Sequence, residues 1–196
     1  MPKGMITKEL ILEVSRSLLR EQGWTAITIR TVAAACGVSV GSIYNYFDSK
    51  SELVMATVAS IWQYLFHTDE DKWKSLCFSD YIVWLFQNIE QRSRTYPGFF
   101  AAHPLHFQSE DKEKGRQLMA ASQRHIRKQL YDILMQDTAV RPKAFTSQFT
   151  AEKFIDLIFS FLLAALLQEN YDTSAIIEVI RRILSISKRE SMFVSY

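Results

Sequence analysis

Cysteine, proline and glycine are all scarce in this chain of 196 residues, which has two, four and six of them respectively. The two cysteines, Cys36 and Cys77, stand far apart and match no metal-ligand spacing. Neither a disulfide framework nor a cysteine metal site is therefore expected, and a reducing cytoplasm suits the chain. Cys36 lies in an apolar helical pattern and reads as a small buried hydrophobe. The shortage of helix breakers and of period-2 alternation argues against sheets and for an all-α fold. Long hydrophobic runs are missing too. The most apolar stretch, 157–167, is interrupted by Ser160 and falls far short of the ~20 residues of a membrane span. The N-terminus has no apolar signal-peptide core, so a cytoplasmic protein with no membrane partner is expected.

An excess of charge of either sign is nearly absent. The net charge is +2. Residues 1–50 hold six basic and four acidic side chains, and the remainder is balanced, so the small surplus sits at the N-terminal end. A margin that small does not by itself mark a nucleic-acid binder. Reactive constellations are lacking as well. The glycines of 36–41 have the wrong spacing for a phosphate loop, and neither a nucleophile elbow nor a serine–histidine–acid order can be argued. No catalytic residues, no cofactor and no enzyme activity are expected. His103 and His106 fall in His-Pro-Leu-His, where Pro104 prevents the helical i, i+4 arrangement and no carboxylate or cysteine partner stands out. No metal site is expected there, but a polar contact near a pocket or no role at all.

What the chain does have is hydrophobic content of 48%, enough for a substantial core, and helical periodicity almost throughout. Leu10, Ile11, Val14, Leu18 and Leu19 form an apolar stripe that predicts a helix over 7–22. Further helices are predicted from Ser49 past Leu65, over 79–96 and 111–136, over 151–169 with Thr150 as its cap, and a last one capped by Thr173 or Ser174 and running to about 189. The total is about nine.

Residues 28–53 are the most informative stretch. Thr28 is a good N-cap, and Ile29, Val32 and Ala33 follow at helical spacing. The run Ala33–Ala35 favours helix and leaves room for a crossing neighbour. Gly37 stands where a left-handed residue ends a helix. Ser39 caps a second short helix with Ile43 and Phe47 facing inward, leaving Ser42, Tyr44, Asn45 and Tyr46 outward or sideways. Ser49 followed by Glu52 predicts a capping box at the next helix. Two short helices joined by a turn at 36–39 make a helix-turn-helix, with the motif over 28–47.

On Thr28, Ala33, Gly37-Val38-Ser39, Gly41, Tyr44, Tyr46-Phe47, Lys50 and Leu53, the segment resembles the DNA-binding part of the TetR/AcrR family of bacterial regulators. The resemblance implies an N-terminal three-helix DNA-binding domain over 1–50 and a helical effector-binding and dimerisation domain over 51–196. It also implies roles. Thr28 and Arg30 touch phosphate or a base edge. Ser39, Val40, Gly41 and Ser42 form the recognition tip, with Gly41 allowing close approach. Tyr44, Tyr46 and Lys50 bond phosphates. Asn45 either reads adenine with two hydrogen bonds or points along the groove wall.

Beyond Leu53 the resemblance is one of architecture only. The partners it implies are double-stranded operator DNA, a second copy of the chain and an unidentified small-molecule effector. Trp62, Phe66, Trp84, Phe99, Phe100, His103 and Phe107 are the candidate pocket residues, against the alternative that such aromatics are ordinary core. They suit an apolar ligand, aromatic or cationic, bound between the fourth helix and those after it. Tyr64, Gln87, His103 and His106 are candidate polar anchors. Phe154, Leu157, Ile158, Phe161, Leu162, Ala165 and Leu166, with Ile176, Ile177, Val179, Ile180, Ile183 and Leu184, are expected to form a four-helix dimer interface. The function expected is a ligand-responsive repressor that leaves a palindromic operator when the effector binds. An activator or a regulator answering to a protein partner is the alternative, and an enzyme or a purely structural DNA-binding protein fits less well.

Overall fold

Short-range capping decides where the helices begin and end. The computed structural model describes residues 6–66, 76–97, 99–102 and 112–184. Among them are nine α-helices, a 3₁₀ turn at Trp24–Ala26 and no strand, so the fold is all-α as its composition predicts. The helices are α1 (Lys8–Gln22), α2 (Ile29–Ala35), α3 (Val40–Tyr44), α4 (Lys50–Phe66), α5 (Phe78–Ser93), α6 (Phe99–Ala102), α7 (Lys112–Gln136), α8 (Ala151–Gln168) and α9 (Ser174–Leu184). No described helix is long and apolar enough to cross a membrane. His103, His106, Phe107 and the last helix beyond Leu184 lie outside the described residues.

The chain divides into two compact units. The first takes the residues up to Leu65 together with Arg92–Ser122, and the second takes Phe66–Gln91 and the residues from Gln123 onward.

In the first unit α1 buries Ile11, Ser15, Leu18 and Leu19. The inward face is therefore rotated from the predicted stripe, since Leu10 is exposed and Val14 only half-buried. Ser15 tolerates burial because its hydroxyl donates to the Ile11 carbonyl at 2.8 Å. Thr57 and Ser60 on α4 do likewise, donating to the carbonyls of Leu53 and Thr57.

Residues 92–100 complete this unit. Arg92 donates through Nη1 to the carbonyls of Tyr64 and Leu65, at 3.1 and 3.3 Å, where α4 has ended and its carbonyls lack helical partners. Its guanidinium also lies 5.7 Å from the Tyr64 ring centre. Tyr64 meets Tyr96 edge-on, and Phe99 stacks on Trp24 with centroids 5.8 Å apart and planes 15° apart. Phe100 packs edge-on against both Phe99 and Trp62. Burial raises the Tyr96 phenol above its usual range, and nearby Arg16 and Arg20 partly oppose the shift.

The second unit is built on phenylalanines. Phe154 contacts Phe78, Phe145 and Phe149, with ring centroids 5.7 to 6.2 Å apart. Asp137 accepts from the backbone N–H of Phe78 at 2.7 Å, which caps the start of α5. Arg141 donates from its backbone and from Nε to the carbonyls of Leu184 and Ile183, closing the end of α9. Arg127 lies over the Phe159 ring at 4.0 Å. Its Nε stands 2.9 Å from Asp156 Oδ1, an ion pair in which the N–H is not aimed at the oxygen. Thr150 caps α8 as predicted. At α9 the cap differs from the prediction, because Asp172 rather than Thr173 or Ser174 supplies the accepting group, with Oδ1 2.8 Å from the Ser174 N–H. The two bonds from Ser174 hold the Asp172 carboxyl below its usual range.

Phe154 is fully buried among aromatic rings, whereas Leu157 on the same helix is 46% exposed. Phe154→Ala should therefore lower stability by about 3–5 kcal/mol, and Leu157→Ala by well under half of that. Urea denaturation followed by far-UV circular dichroism measures both.

Candidate nucleic-acid interface

The interface is assembled from two helices of seven and five residues, α2 and α3. Thr28 caps α2, accepting from the Thr31 N–H at 3.1 Å, and its hydroxyl also pairs with that of Thr31 at 2.8 Å. Cys36 is the C-cap of α2, and Gly37 follows with φ of 68°. The Gly37 N–H donates to Ala34 O and the Val38 N–H to Ala33 O, at 3.1 and 3.0 Å. These are the two bonds of a Schellman turn, and only the left-handed residue in the middle lets both form. The Cys36 thiol is half-buried, and that burial pushes it above its usual range.

Ser39 then caps α3, accepting from the Ser42 N–H at 3.2 Å, with its hydroxyl 2.8 Å from that of Ser42. Ile29, Val32, Ala33, Ile43 and Phe47 are buried, and they lock α3 onto α2. The opposite face is open. Arg30, Ser39, Val40, Gly41, Tyr44, Asn45 and Lys50 are exposed, and Thr28, Ser42 and Tyr46 are half-buried. Tyr44 is an aromatic ring 50% in solvent, on a helix whose next residue but two is a core phenylalanine. A Cβ added to Gly41 would meet nothing nearer than Ser39 Oγ at 3.8 Å. The fold does not require glycine there, so any demand for it comes from what approaches α3 from outside.

Lys50 opens α4, where Ser49 accepts from the Glu52 N–H at 3.1 Å. The reciprocal bond expected of a capping box is displaced by one residue. Glu52 Oε2 accepts from the N–H of Asp48 rather than of Ser49, at 2.6 Å.

Tyr46 differs from Tyr44. Its hydroxyl donates to the carbonyl of Ile6, just before α1. A phenol has one proton to donate, and here it ties the start of α1 to the end of the motif instead of facing outward. Lys8 adds to this junction with its ammonium 5.2 Å over the Phe47 ring. Sequence reasoning did not reach these contacts because the Tyr46–Ile6 bond spans forty positions with no local signature.

Five of the proposed pocket residues lie among the described residues. Trp62, Phe99 and Phe100 are buried against one another in the first unit. Phe66 and Trp84 belong to the second unit, where Trp84 is half-buried beside Tyr81. Of the candidate anchors, Tyr64 is occupied with Arg92 and Tyr96, and Gln87 is exposed. The expected dimer faces are also largely consumed within the chain. Phe154, Ile158, Leu162, Ala165 and Leu166 of α8, and Ile176, Ile177, Ile180 and Leu184 of α9, are buried inside the protomer. Leu157, Leu167 and Val179 remain exposed, with Phe161 and Ile183 half-buried.

A capped pair of short helices joined by a tight left-handed turn has the geometry of a helix-turn-helix. Residues 11–57 match the family model described as bacterial regulatory proteins, tetR family. Over that stretch, about a quarter of its length, the chain is similar to the N-terminal segment of that family. Over 44 residues it is 41% identical to the HTH-type transcriptional repressor KstR2 of Rhodococcus jostii, a match covering 22% of each chain. The aligned part thus spans about a fifth of that relative. Two solved structures resemble the fold over most of the length. One is the multidrug binding protein EbrR complexed with imidazole, with TM-score 0.57 and 18% identity, covering 91% of this chain and 89% of the other. The second is BioQ with its double-stranded DNA operator, with TM-score 0.54 and 15% identity, covering 96% and 95%.

Tyr46→Phe should lower stability by about 0.5–1.5 kcal/mol, because the Ile6 carbonyl loses its donor. Tyr44→Phe should leave stability unchanged. Paired urea titrations give both values, and equal effects would contradict the different roles of the two hydroxyls.

Proposed function

We propose that the protein is a DNA-binding transcriptional regulator that acts as a homodimeric repressor of a palindromic operator and is released by a small apolar effector. One observation carries the DNA-binding part. The open side of α3 and its caps presents Ser39, Val40, Gly41, Tyr44 and Asn45, with Arg30 and Lys50 both exposed nearby in the sequence. Lys50 and Tyr44 hold phosphates, and Arg30 and Thr28 contact the backbone or a base edge. Ser39, Val40, Gly41, Ser42 and Asn45 face the bases. Phosphate contacts fix the register, and the base-edge contacts select the sequence. BioQ, whose fold is similar, binds a double-stranded operator.

Dimerisation rests on the apolar side chains that the protomer does not bury. Leu157, Phe161, Ala164 and Leu167 recur every three or four residues along α8, and Val179 and Ile183 do so on α9. Paired across a two-fold axis, they place two heads about one DNA turn apart, ~34–36 Å, or a multiple of it. The effector acts by binding one spacing of the heads better than the other. EbrR, of similar fold, is a multidrug binding protein, which supports an apolar or cationic ligand. Trp84, the half-buried tryptophan, is the reporter to follow by fluorescence.

Tyr44→Phe should weaken operator binding through loss of a phosphate bond of about 0.5–3 kcal/mol, alike on specific and non-specific DNA. Lys50→Gln should reduce the log–log salt slope by about one. Fluorescence anisotropy across a salt series reads both, and unchanged affinity and slope would remove these residues from the interface.

The double change Leu157→Glu with Leu167→Glu should yield folded monomers by light scattering, whereas Leu162→Glu, at a position 1% exposed, should unfold the chain. A wild-type monomer at micromolar concentration would sink the dimer.

A further inference from the structure

Within the first unit, α1 and α4 do not pack against each other along their whole length. Between them lies a half-open groove of about 540 Å³. Lys8 and Leu12 of α1 line it, with Asp48 and Ser49 from the turn before α4. The remaining wall is one face of α4, residues Glu52, Met55, Ala56, Ala59, Ser60 and Gln63. Three of these six α4 positions, Ala56, Ala59 and Ser60, carry small side chains that leave room in the middle of the groove. Met55, Ala59 and Ser60 are buried at its floor, and the Ser60 hydroxyl is satisfied by its own helix, so the floor asks for no polar partner. Its volume lies in the range of drug-sized ligand sites.

The charge around the groove is uneven. Asp48 and Glu52 bring two carboxylates, and Lys8, the one cation among the lining residues, has its ammonium over the Phe47 ring. Glu52 uses one oxygen on the Asp48 N–H. The wall between these acids and Gln63 is largely apolar. A net negative mouth over an apolar trough complements an organic cation with an apolar body.

We propose that this groove binds a small organic monocation, apolar in its body, and that the bound cation strengthens DNA binding. The second part rests on the DNA-binding reading given above. Asp48 and Glu52 flank Lys50 at two residues' distance on either side, and their charges oppose an approaching phosphate. A cation neutralising them lowers that repulsion, and reciprocity requires DNA to tighten the cation in turn. This site is separate from the aromatic residues discussed for the effector, and its coupling has the opposite sign.

Tetraphenylphosphonium and tetraphenylborate test the site, being alike in shape and opposite in charge. Isothermal titration calorimetry of the full chain without DNA should give a Kd of about 10–500 µM for the cation. The anion should bind at least about fivefold more weakly. Ala56→Phe, a half-exposed position that tolerates bulk, should abolish cation binding. Asp48→Asn with Glu52→Gln, which keeps an acceptor for the cap, should weaken it about fivefold, and Lys8→Gln should strengthen it. Operator affinity at low salt should rise about two- to fivefold with saturating cation, and the rise should vanish in that double variant and at high salt. Cation binding that survives Ala56→Phe and the double change undiminished, or no binding at all, overturns the site. Binding lost in those variants but without effect on operator affinity overturns the coupling alone. If operator DNA does not bind under any condition, the failure lies with the DNA-binding reading, and the calorimetry still decides the site.

Discussion

A helix of five residues does not hold together in water. It has paid the nucleation cost and has almost no length over which to recover it. α3 is such a helix, and α2 is hardly longer. Everything in the first unit follows from how these two are held. Two hydroxyl caps, at Thr28 and Ser39, and the paired bonds around Gly37 satisfy free backbone groups at their ends, and Ser49 does the same for α4. Ile29, Val32, Ile43 and Phe47 then supply the burial that neither helix could find alone. With the interior committed to that task, the outer face is left to small and polar residues.

Around this head the chain adds a second layer of restraint from far along the sequence. Tyr46 holds Ile6, Phe99 stacks on Trp24, and Arg92 closes the carbonyl end of α4. Burying Tyr96 beside Arg16 belongs to the same seam. Arg92, Tyr96, Phe99 and Phe100 belong to the same unit, and α4 is tied by the Ser49 cap at one end and by Arg92 at the other.

Much of this was legible in the sequence wherever the deciding contacts are local. The Thr28, Ser39 and Thr150 caps, the left-handed Gly37 and the inward Ile43 and Phe47 all follow from neighbours within a turn or two. The outward set on α3 follows by subtraction. Local reasoning failed where a partner is remote or where two faces look alike. Nothing near Tyr46 announces Ile6, and nothing near Phe78 announces Asp137. α8 is apolar on nearly every side, so its pattern could not say which leucines the protomer keeps; Leu162 is core and Leu157 is not. α1 was misjudged for the opposite reason, since a serine that bonds its own helix can take a core position that hydropathy assigns to a leucine.

The short contact between the Ser39 and Ser42 hydroxyls allows either oxygen to be the donor. Whichever hydroxyl gives its hydrogen inward, the other keeps one to present outward, and exchanging the roles needs only rotation about two C–O bonds. The tip of α3 therefore presents one free O–H at a time, from either of two oxygens 2.8 Å apart. A hydrogen-bond acceptor on a facing surface can be met at either oxygen without moving the backbone, so this corner of the head tolerates a shifted partner where a fixed donor such as an amide would not.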